Sequence, residues 1–211
     1  MPILNEIAYF QNRRDEILNQ KLARELAKTK NKKGINEIAE NLWNKNKNIQ
    51  SDCLKVLYEI GYISPELITD NVDDFLKLLK SNNNRMVWGA MIALSTIADK
   101  KSEEIWQNIE DVIDAVENGS HITVVWGLKT LASVLAANKK YHKKIYPVLI
   151  KHLKECNPRE IPKYTDYILC ALDEKNRNEI MPILRNREDE LTPSQSTKLR
   201  KILKKYDMNT G

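Results

Sequence analysis

Hydrophobic positions along the chain recur at the spacing of amphipathic α-helices, and one such pattern occurs twice. The stretch RMVWGAMIALSTIA at residues 85–98 is followed 38 residues later by TVVWGLKTLASVLA at residues 123–136. Each copy leads into a second amphipathic segment. Two copies of a helix pair predict an all-α protein built from stacked helical repeats.

The second segments stay in register over three repeats, and each set is shifted by 37 residues from the one before. Within a set, the spacing i, i+4, i+7, i+8, i+11 places five side chains on one stripe of a helix. The sets are Ile68, Val72, Phe75, Leu76 and Leu79, then Ile105, Ile109, Val112, Ile113 and Val116, then His142, Tyr146, Leu149, Ile150 and Leu153. Because one helix pair cannot bury both of its stripes alone, neighbouring pairs must stack and share a core.

The remaining patterns extend this repeat at both ends. Residues 1–48 do not match it and predict an N-terminal helical cap, with one long helix closed by Gly34 and a shorter helix over about residues 36–45. Residues 49–190 predict about four helix pairs, of which the last is abbreviated. Residues 191–211 predict a C-terminal capping helix. We therefore expect a single repeat domain over residues 1–211.

Turn residues predict where individual helices begin and end. Ser64 is expected to be an N-cap with Pro65 in the first helical turn, and Thr192 is expected to start a capping box. Pro147 and Pro182 are expected to start or kink second helices. Asparagines are expected to take the left-handed conformation after helix ends, at Asn82, Asn118, Asn157 and Asn186.

Composition excludes several classes of protein. The 211 residues are 42% hydrophobic and 30% charged, which suits a chain with a real core. No apolar run reaches the roughly 18 residues of a membrane span, and no secretory apolar region follows the N-terminus, so we expect a cytoplasmic protein. Cys53, Cys156 and Cys170 are odd in number and far apart, which favours reduced thiols over a disulfide framework or a metal site.

The net charge of +5 is distributed unevenly. Residues 1–50 carry 10 basic and 6 acidic groups, residues 51–120 carry 6 and 13, and residues 121–211 carry 18 and 10. An acidic middle therefore lies between two basic ends. A polyanion partner would have to bind one of the basic ends, and the overall charge alone does not predict one.

Residues 75–98, FLKLLKSNNNRMVWGAMIALSTIA, combine an apolar helix, an Asn-rich turn, a valine and a small-residue helix. This stretch resembles the HEAT-like (armadillo/HEAT) family of α-solenoids, and the likeness extends over about residues 50–190. The chain departs from the family at Asn83 and Asn84, where Asp is usual, and at Trp88 and Trp126, where a basic residue is usual. The resemblance implies a right-handed superhelix of antiparallel helix pairs with second helices on the concave side. It implies no reaction.

On such a concave face, the outward positions of the second helices change from acidic to basic along the chain. These positions form four columns: Glu66, Glu103 and Lys140; Asp70, Gln107 and Lys144; Lys77, Asp114 and Lys151; Lys80, Glu117 and Lys154. Asp73, Asp74, Glu110 and Asp111 add to the acidic end. One interpretation is a solvated surface that keeps the protein soluble. The other is a groove for a peptide or helix with a complementary charge gradient.

Two tryptophans start equivalent helices, each beside a glycine. In the structural interpretation, Trp88 and Trp126 pack against a neighbouring repeat. In the functional one, they are aromatic platforms for a base or another ligand. Residues around the same turns join them in that case, namely Arg85, His121, Arg159 and Tyr164. HEAT-like DNA alkylation repair glycosylases use aromatic and acidic groups on the concave face, but their catalytic aspartate and its aromatic and arginine partners cannot be placed on this sequence.

The sequence contains no recognisable catalytic motif. The sequence lacks phosphate-binding, dinucleotide-binding, nucleophile-elbow and zinc-protease motifs, and His142 and His152 lie too far apart around one helix to share a metal. We predict no catalytic residue, no cofactor, no metal and no membrane partner. The leading hypothesis is a non-catalytic scaffold that presents a charged concave groove to an unidentified protein or peptide.

The alternative hypothesis is nucleic-acid binding through the basic C-terminal third, with base-repair chemistry as its furthest extension. Both hypotheses draw on one set of predicted binding residues: Arg85, Trp88, Trp126, Lys144, Lys151, Lys154, Arg159 and Tyr164.

Overall fold

A computed structural model describes residues 2–173 and 177–206, and in these ranges the chain is helical and has no strand. Short 3-10 turns link twelve α-helices in the described residues. They are α1 (Ile17–Thr29), α2 (Lys32–Glu40), α3 (Lys47–Ile63), α4 (Val72–Leu78), α5 (Asn84–Ile97), α6 (Ser102–Gln107), α7 (Ile109–Asn118), α8 (His121–Ala137), α9 (His142–Glu155), α10 (Ile161–Ala171), α11 (Met181–Asn186) and α12 (Pro193–Lys205). The all-α solenoid predicted from the repeat is confirmed.

The chain forms two compact units, Met1–Thr130 and Leu131–Gly211, and helix α8 continues from the first unit into the second. In the first unit, α3 packs against both α1 and α5. Five α3 side chains are at most 1% exposed: Cys53, Leu54, Val56, Leu57 and Ile60. A helix that is apolar on two sides requires a neighbour on each, as stacked repeats provide.

The stripes predicted on the second helices are largely buried. In the first unit, Ile68, Phe75, Ile105, Val112 and Val116 are all fully buried. The second set is divided, however, because Asn108 interrupts the helix between α6 and α7 with φ −115° and ψ 23°. Its side-chain amide donates to the Glu104 carbonyl at 3.0 Å, which satisfies an α6 carbonyl at the break.

The predicted long N-terminal helix is wrong over its first half. Residues Ile3–Glu6 and Ala8–Gln11 form two 3-10 turns, and the first α-helix begins at Ile17. That helix also ends earlier than predicted, because Lys30 takes the left-handed conformation at φ 50°. Gly34 is not a cap but lies inside α2, where its amide donates to Asn31 Oδ1 at 2.9 Å.

Asparagines cap the starts of helices rather than their ends. Among the described residues, only Asn12 and Lys30 have positive φ outside glycine, so the predicted left-handed asparagines are wrong at Asn82, Asn118, Asn157 and Asn186. Asn157 instead accepts the Arg159 amide at the next 3-10 turn. The same Asn capping recurs at Asn31, Asn46, Asn83 and Asn138. Side-chain capping of the following helix satisfies amide donors that would otherwise be unpaired.

Ser64 does not cap a helix as predicted. Its side chain makes no capping hydrogen bond, Pro65 begins a 3-10 turn, and α4 starts only at Val72. The two prolines differ from one another, because Pro147 lies inside α9 whereas Pro182 occupies the first turn of α11. The prediction that a helix starts at Pro147 is therefore wrong. The prediction that a helix starts at Pro182 is confirmed.

In the second unit, α10 packs against α9 and α12. Arg187 caps the C-terminal end of α9, because its guanidinium donates hydrogen bonds to the Leu153 carbonyl at 2.9 Å and to the Cys156 carbonyl at 2.7 Å. The predicted capping box at Thr192 is confirmed. The predicted division into residues 1–48, 49–190 and 191–211 stays a prediction, and residues 207–211 of its last segment lie outside the described residues.

Gly127 lies in close contact with a neighbouring helix, and this contact gives a stability prediction. A Cβ at this position would lie 2.3 Å from Val116 Cγ2, and Val116 is fully buried. We expect Gly127→Ala to lower the free energy of unfolding by about 1–2 kcal/mol, because overpacking outweighs the better helix propensity of alanine. Urea unfolding followed by circular dichroism measures this change.

The double variant Gly127→Ala with Val116→Ala is the control, since it removes the methyl group that the new Cβ would meet. Its loss should be smaller than the sum of the two single losses by about 1 kcal/mol. Strictly additive losses would show that the close approach carries no packing constraint.

Candidate functional site

The predicted binding residues divide between the two units. Arg85 is exposed at the start of α5, and Trp88 and Trp126 are half-buried on α5 and α8 of the first unit. In the second unit, the predicted basic residues are exposed at Lys144, Lys151, Lys154 and Arg159. The prediction of Tyr164 as a binding residue is wrong. It is 3% exposed and lies on the buried face of α10, so it offers no platform for a ligand.

The two tryptophans are joined by two tyrosines of α3 into an aromatic row. The Trp88 ring lies 6.3 Å from Tyr58, Tyr58 lies 6.1 Å from Tyr62, and Tyr62 lies 5.8 Å from Trp126, measured between ring centroids. The pairs are tilted or edge-on, as aromatic quadrupoles prefer. Tyr62 is 45% exposed, so the middle of the aromatic row reaches solvent.

The glycine beside each tryptophan allows its helix to pack closely. A Cβ on Gly89 would meet Leu54 Cδ2 at 2.6 Å, which shows how closely α5 approaches α3. Gly127 approaches Val116 in the same way, as described above. The structural interpretation of the Trp-Gly pairs therefore has direct support, while the half-exposed rings retain a surface for contact.

Two lysines lie over rings of the aromatic row, and their environments differ. Lys55 Nζ is 4.8 Å from the Tyr58 centroid and bonds Glu16 at 2.7 Å and Glu59 at 2.6 Å. Burial acts to lower the pKa of Lys55, but these two carboxylates outweigh it and raise the pKa above its usual value. Lys129 Nζ lies 5.1 Å from the Trp126 centroid, and burial lowers its pKa.

An acidic surface covers the second helices of the first unit. We define it by ten residues in segments 64–80 and 101–118: Glu66, Asp70, Asp73, Asp74, Glu103, Glu104, Glu110, Asp111, Asp114 and Glu117. The same segments contain only three basic residues, Lys77, Lys80 and Lys101. Seven of the ten acidic side chains are exposed.

The two segments of the acidic surface lie side by side. Helices α4 and α6 are in contact, and Lys80 of the first segment pairs with Asp111 of the second at 2.8 Å. A hydrogen bond to Glu104 raises the pKa of Lys101, and the charges of Asp70 and Asp73 add to that effect. Carboxylates from successive second helices therefore lie close enough to act on the same cationic group.

An arginine cavity of about 680 Å³ opens where the N-terminal segment meets α3 and α5. It is lined by Tyr9, Asn12, Arg13, Arg14, Asn48, Asp52 and Arg85. A smaller adjoining cavity shares Arg14, Asp52 and Arg85 and reaches Tyr58 and Trp88 of the aromatic row. The arginine cavity and the aromatic row therefore form one continuous surface.

Sequence reasoning found parts of this surface but not its connections. It singled out Arg85 and the tryptophans, and it missed Tyr58, Tyr62 and Arg14. The tyrosines were overlooked because α3 contributes them from a helix that the repeated Val-Trp-Gly pattern does not include. In retrospect, their i, i+4 spacing on α3 was the available signal.

The second unit presents basic groups on α9 and on the turn that follows it. Lys143, Lys144, Lys151 and Lys154 are all exposed. Arg159 pairs with Glu160 at 3.2 Å. His142, which the sequence placed on an apolar stripe, stacks on Tyr146 with ring centroids 4.6 Å apart. The four exposed lysines form a basic face of α9.

Across residues 2–173 and 177–206, no group of three or more His, Cys, Asp or Glu side chains is arranged to hold a metal ion. Within the same ranges, no helix has the length and apolar character to span a membrane.

One protein family matches this chain over residues 35–170, more than half of its length. That family is described as Cnd1, non-SMC mitotic condensation complex subunit 1. The chain belongs to the Cnd1 family. This membership agrees with the HEAT-like resemblance inferred from residues 75–98. No curated protein matches the Cnd1-family chain.

Several solved structures are similar to this Cnd1-family chain at low sequence identity. A designed armadillo repeat protein in complex with the peptide (KR)4 has a TM-score of 0.67 at 12% identity, over 89% of this chain and 86% of that one. A computationally designed armadillo repeat protein for modular peptide recognition has a TM-score of 0.65 at 12% identity, with 98% of each chain covered. An engineered protein has a TM-score of 0.63 at 16% identity, over 98% and 97%. These likenesses show the solenoid fold.

The Lys55 cluster gives a testable prediction about the aromatic row. Replacing Lys55 by Met leaves Glu59 beside Tyr58 without its cation, so we expect unfolding free energy to fall by about 2 kcal/mol. The double variant Lys55→Met with Glu59→Met should recover part of this loss, since it also removes the less exposed of the two carboxylates that Lys55 pairs with. Urea unfolding at neutral pH measures both, and no difference between the two variants would contradict a coupled pair.

Proposed function

We propose that this Cnd1-family chain is a non-catalytic protein-interaction scaffold, and that its acidic surface binds a basic segment of a partner protein. The observation that carries the proposal is the excess of ten carboxylates over three lysines on adjoining second helices. A cytoplasmic location is part of the proposal, because the three cysteines are free thiols as in reducing compartments.

The physical basis is charge complementarity repeated along a rigid scaffold. Exposed carboxylates at Glu66, Asp70 and Asp73 stand beside those of α6 and α7, because α4 contacts α6 and α6 contacts α7. Packing of α4 against α5 holds this layer in place. A lysine- or arginine-rich segment lying across these helices would meet a new carboxylate at each. Such contacts favour rapid, salt-sensitive association and set the register of the bound segment.

The family and the similar structures support this kind of partner. The family description is that of a subunit of a mitotic condensation complex, so its members work by contacting other proteins. A designed armadillo repeat protein of the same fold was solved with (KR)4, a peptide of alternating lysine and arginine. We extend to this chain only the class of ligand, a basic peptide.

Charge reversal on the acidic surface tests the proposal. Fluorescein-labelled (KR)4, the peptide bound by the designed protein, would be titrated with the full chain at low and near-physiological salt and followed by fluorescence anisotropy. We expect measurable binding that weakens with salt. The triple variant Glu66→Lys, Asp70→Lys and Asp73→Lys should lose at least about tenfold in affinity.

The matched control reverses three exposed carboxylates outside the acidic surface, at Glu6, Glu25 and Glu40. It changes the net charge by the same amount, so it separates local contacts from a general charge effect. We expect the control to bind within about twofold of the parent chain at near-physiological salt. Equal losses in the two triple variants would contradict a defined acidic surface.

Nucleic-acid binding by the second unit is the second candidate function. The exposed basic face of α9, with Lys144, Lys151 and Lys154, favours it. Contacts to several phosphates would make affinity for DNA fall steeply with salt. Titration of labelled single-stranded and double-stranded DNA tests this, and reversal of the three lysines to Glu should abolish binding. DNA binding that survives the reversal would refute the assignment to α9.

A further inference from the structure

We propose that the arginine cavity and the adjoining end of the aromatic row form a second binding site, for an acidic segment of a partner protein that carries an aromatic side chain. Its anionic group would bind Arg14 and Arg85, and its ring would pack beside Trp88. This site lies on the first-helix side of the first unit and is separate from the acidic surface.

The arginines of the cavity are available to a ligand. Arg13 is engaged, since its guanidinium bonds Asp15 at 2.6 Å. Arg14 and Arg85 are both exposed, and neither side chain has an ion pair or hydrogen bond to any residue the structure describes. Two unpaired guanidiniums that line the same cavity from different parts of the chain can converge on one carboxylate or phosphate group.

The wall that carries Arg14 is held in place by hydrogen bonds. The Tyr9 amide donates to Asp52 Oδ2 at 2.8 Å, and the Ala8 amide donates to the buried Asn19 Oδ1 at 2.9 Å. Asn46 donates to the Tyr9 hydroxyl at 2.8 Å. The segment is therefore fixed to α1 and α3 before any ligand binds, which reduces the entropy lost on binding.

The neighbouring aromatic groups define the second half of the ligand. The smaller cavity leads from Arg14 and Arg85 to Tyr58 and the half-buried Trp88. An aromatic side chain next to an acidic one would place its ring beside Tyr58 and Trp88 while the anion stays at the arginines. Aromatic contact and charge-assisted hydrogen bonds at one site are typical of binding hot spots.

A short peptide suits this site better than a nucleic acid. Asp15, Glu16 and Asp52 also line the two cavities, and their charges would repel a continuous phosphate backbone. A peptide with one or two anionic groups can place these at the arginines and leave neutral atoms beside the carboxylates. Charge complementarity therefore favours a protein segment with a localised negative charge.

The experiment uses the full chain and a fluorescein-labelled EEFEE peptide, followed by fluorescence anisotropy. The comparison peptides are EEGEE, which lacks the ring, KKFKK, which reverses the charge, and a version of EEFEE with phosphotyrosine in place of Phe. We expect EEFEE to bind and EEGEE to bind at least about tenfold more weakly, whereas KKFKK, as a basic peptide, should bind only through the acidic surface and be unaffected by loss of Arg14 or Arg85. The phosphotyrosine peptide distinguishes phosphate from carboxylate as the preferred anion.

Variants locate the site and keep it distinct from the proposed function. Arg14→Ala and Arg85→Ala should each weaken EEFEE binding by about tenfold, while Arg24→Ala, an exposed arginine of α1, should leave it unchanged. The acidic-surface triple variant should bind EEFEE as the parent does, and the two arginine variants should still bind (KR)4. Urea unfolding checks that each variant retains its stability.

Three results would overturn the proposal. One is EEFEE affinity that does not change in either arginine variant. Another is equal affinity for EEFEE and EEGEE, which would remove the aromatic part of the site. The third is single-stranded DNA that binds more tightly than any of the peptides and loses affinity when Arg14 and Arg85 are replaced.

Discussion

The structure depends on one constraint: the apolar stripes of a helix pair cannot be buried within that pair. Helix α3 shows this most clearly, because side chains such as Cys53, Leu57 and Ile60 are fully buried while the helix lies between α1 and α5. Burial of Cys53 raises its pKa to about 12, as expected for a thiol inside an apolar core. Stacking is therefore required for stability, and it determines which helix faces remain for partners.

The positions where helices pack most closely also place residues of the proposed binding surface. Gly89 and Gly127 allow α5 and α8 to approach their neighbours, and the adjacent tryptophans are thereby held beside the α3 tyrosines. On the other helix layer, the buried stripe of α4, α6 and α7 directs the carboxylates of the acidic surface outward. The acidic surface thus follows from the burial of regular apolar stripes, whereas the arginine cavity also requires the N-terminal segment that hydrogen bonds fix to α1 and α3.

The repeat and its stripes could be predicted from sequence because period and register are local properties of the chain. Residues Ile68, Phe75, Ile105 and Val112 were placed correctly for that reason. Helix ends were predicted less well, since Asn157 caps the following 3-10 turn and Ser64 makes no capping hydrogen bond, and local sequence does not distinguish these outcomes. The aromatic row and the arginine cavity could not be predicted, because Arg14, Tyr58 and Arg85 come together only through the packing of α3 and α5 and the fastening of the N-terminal segment.

The central claim is that the acidic surface is the face that binds a basic peptide. The most direct measurement is a residue-resolved nuclear magnetic resonance titration of the isotope-labelled chain with (KR)4. The account predicts amide shift changes concentrated in residues 64–80 and 101–118, with the same dissociation constant at each. Shift changes confined to α9, or spread evenly over both units, would contradict it.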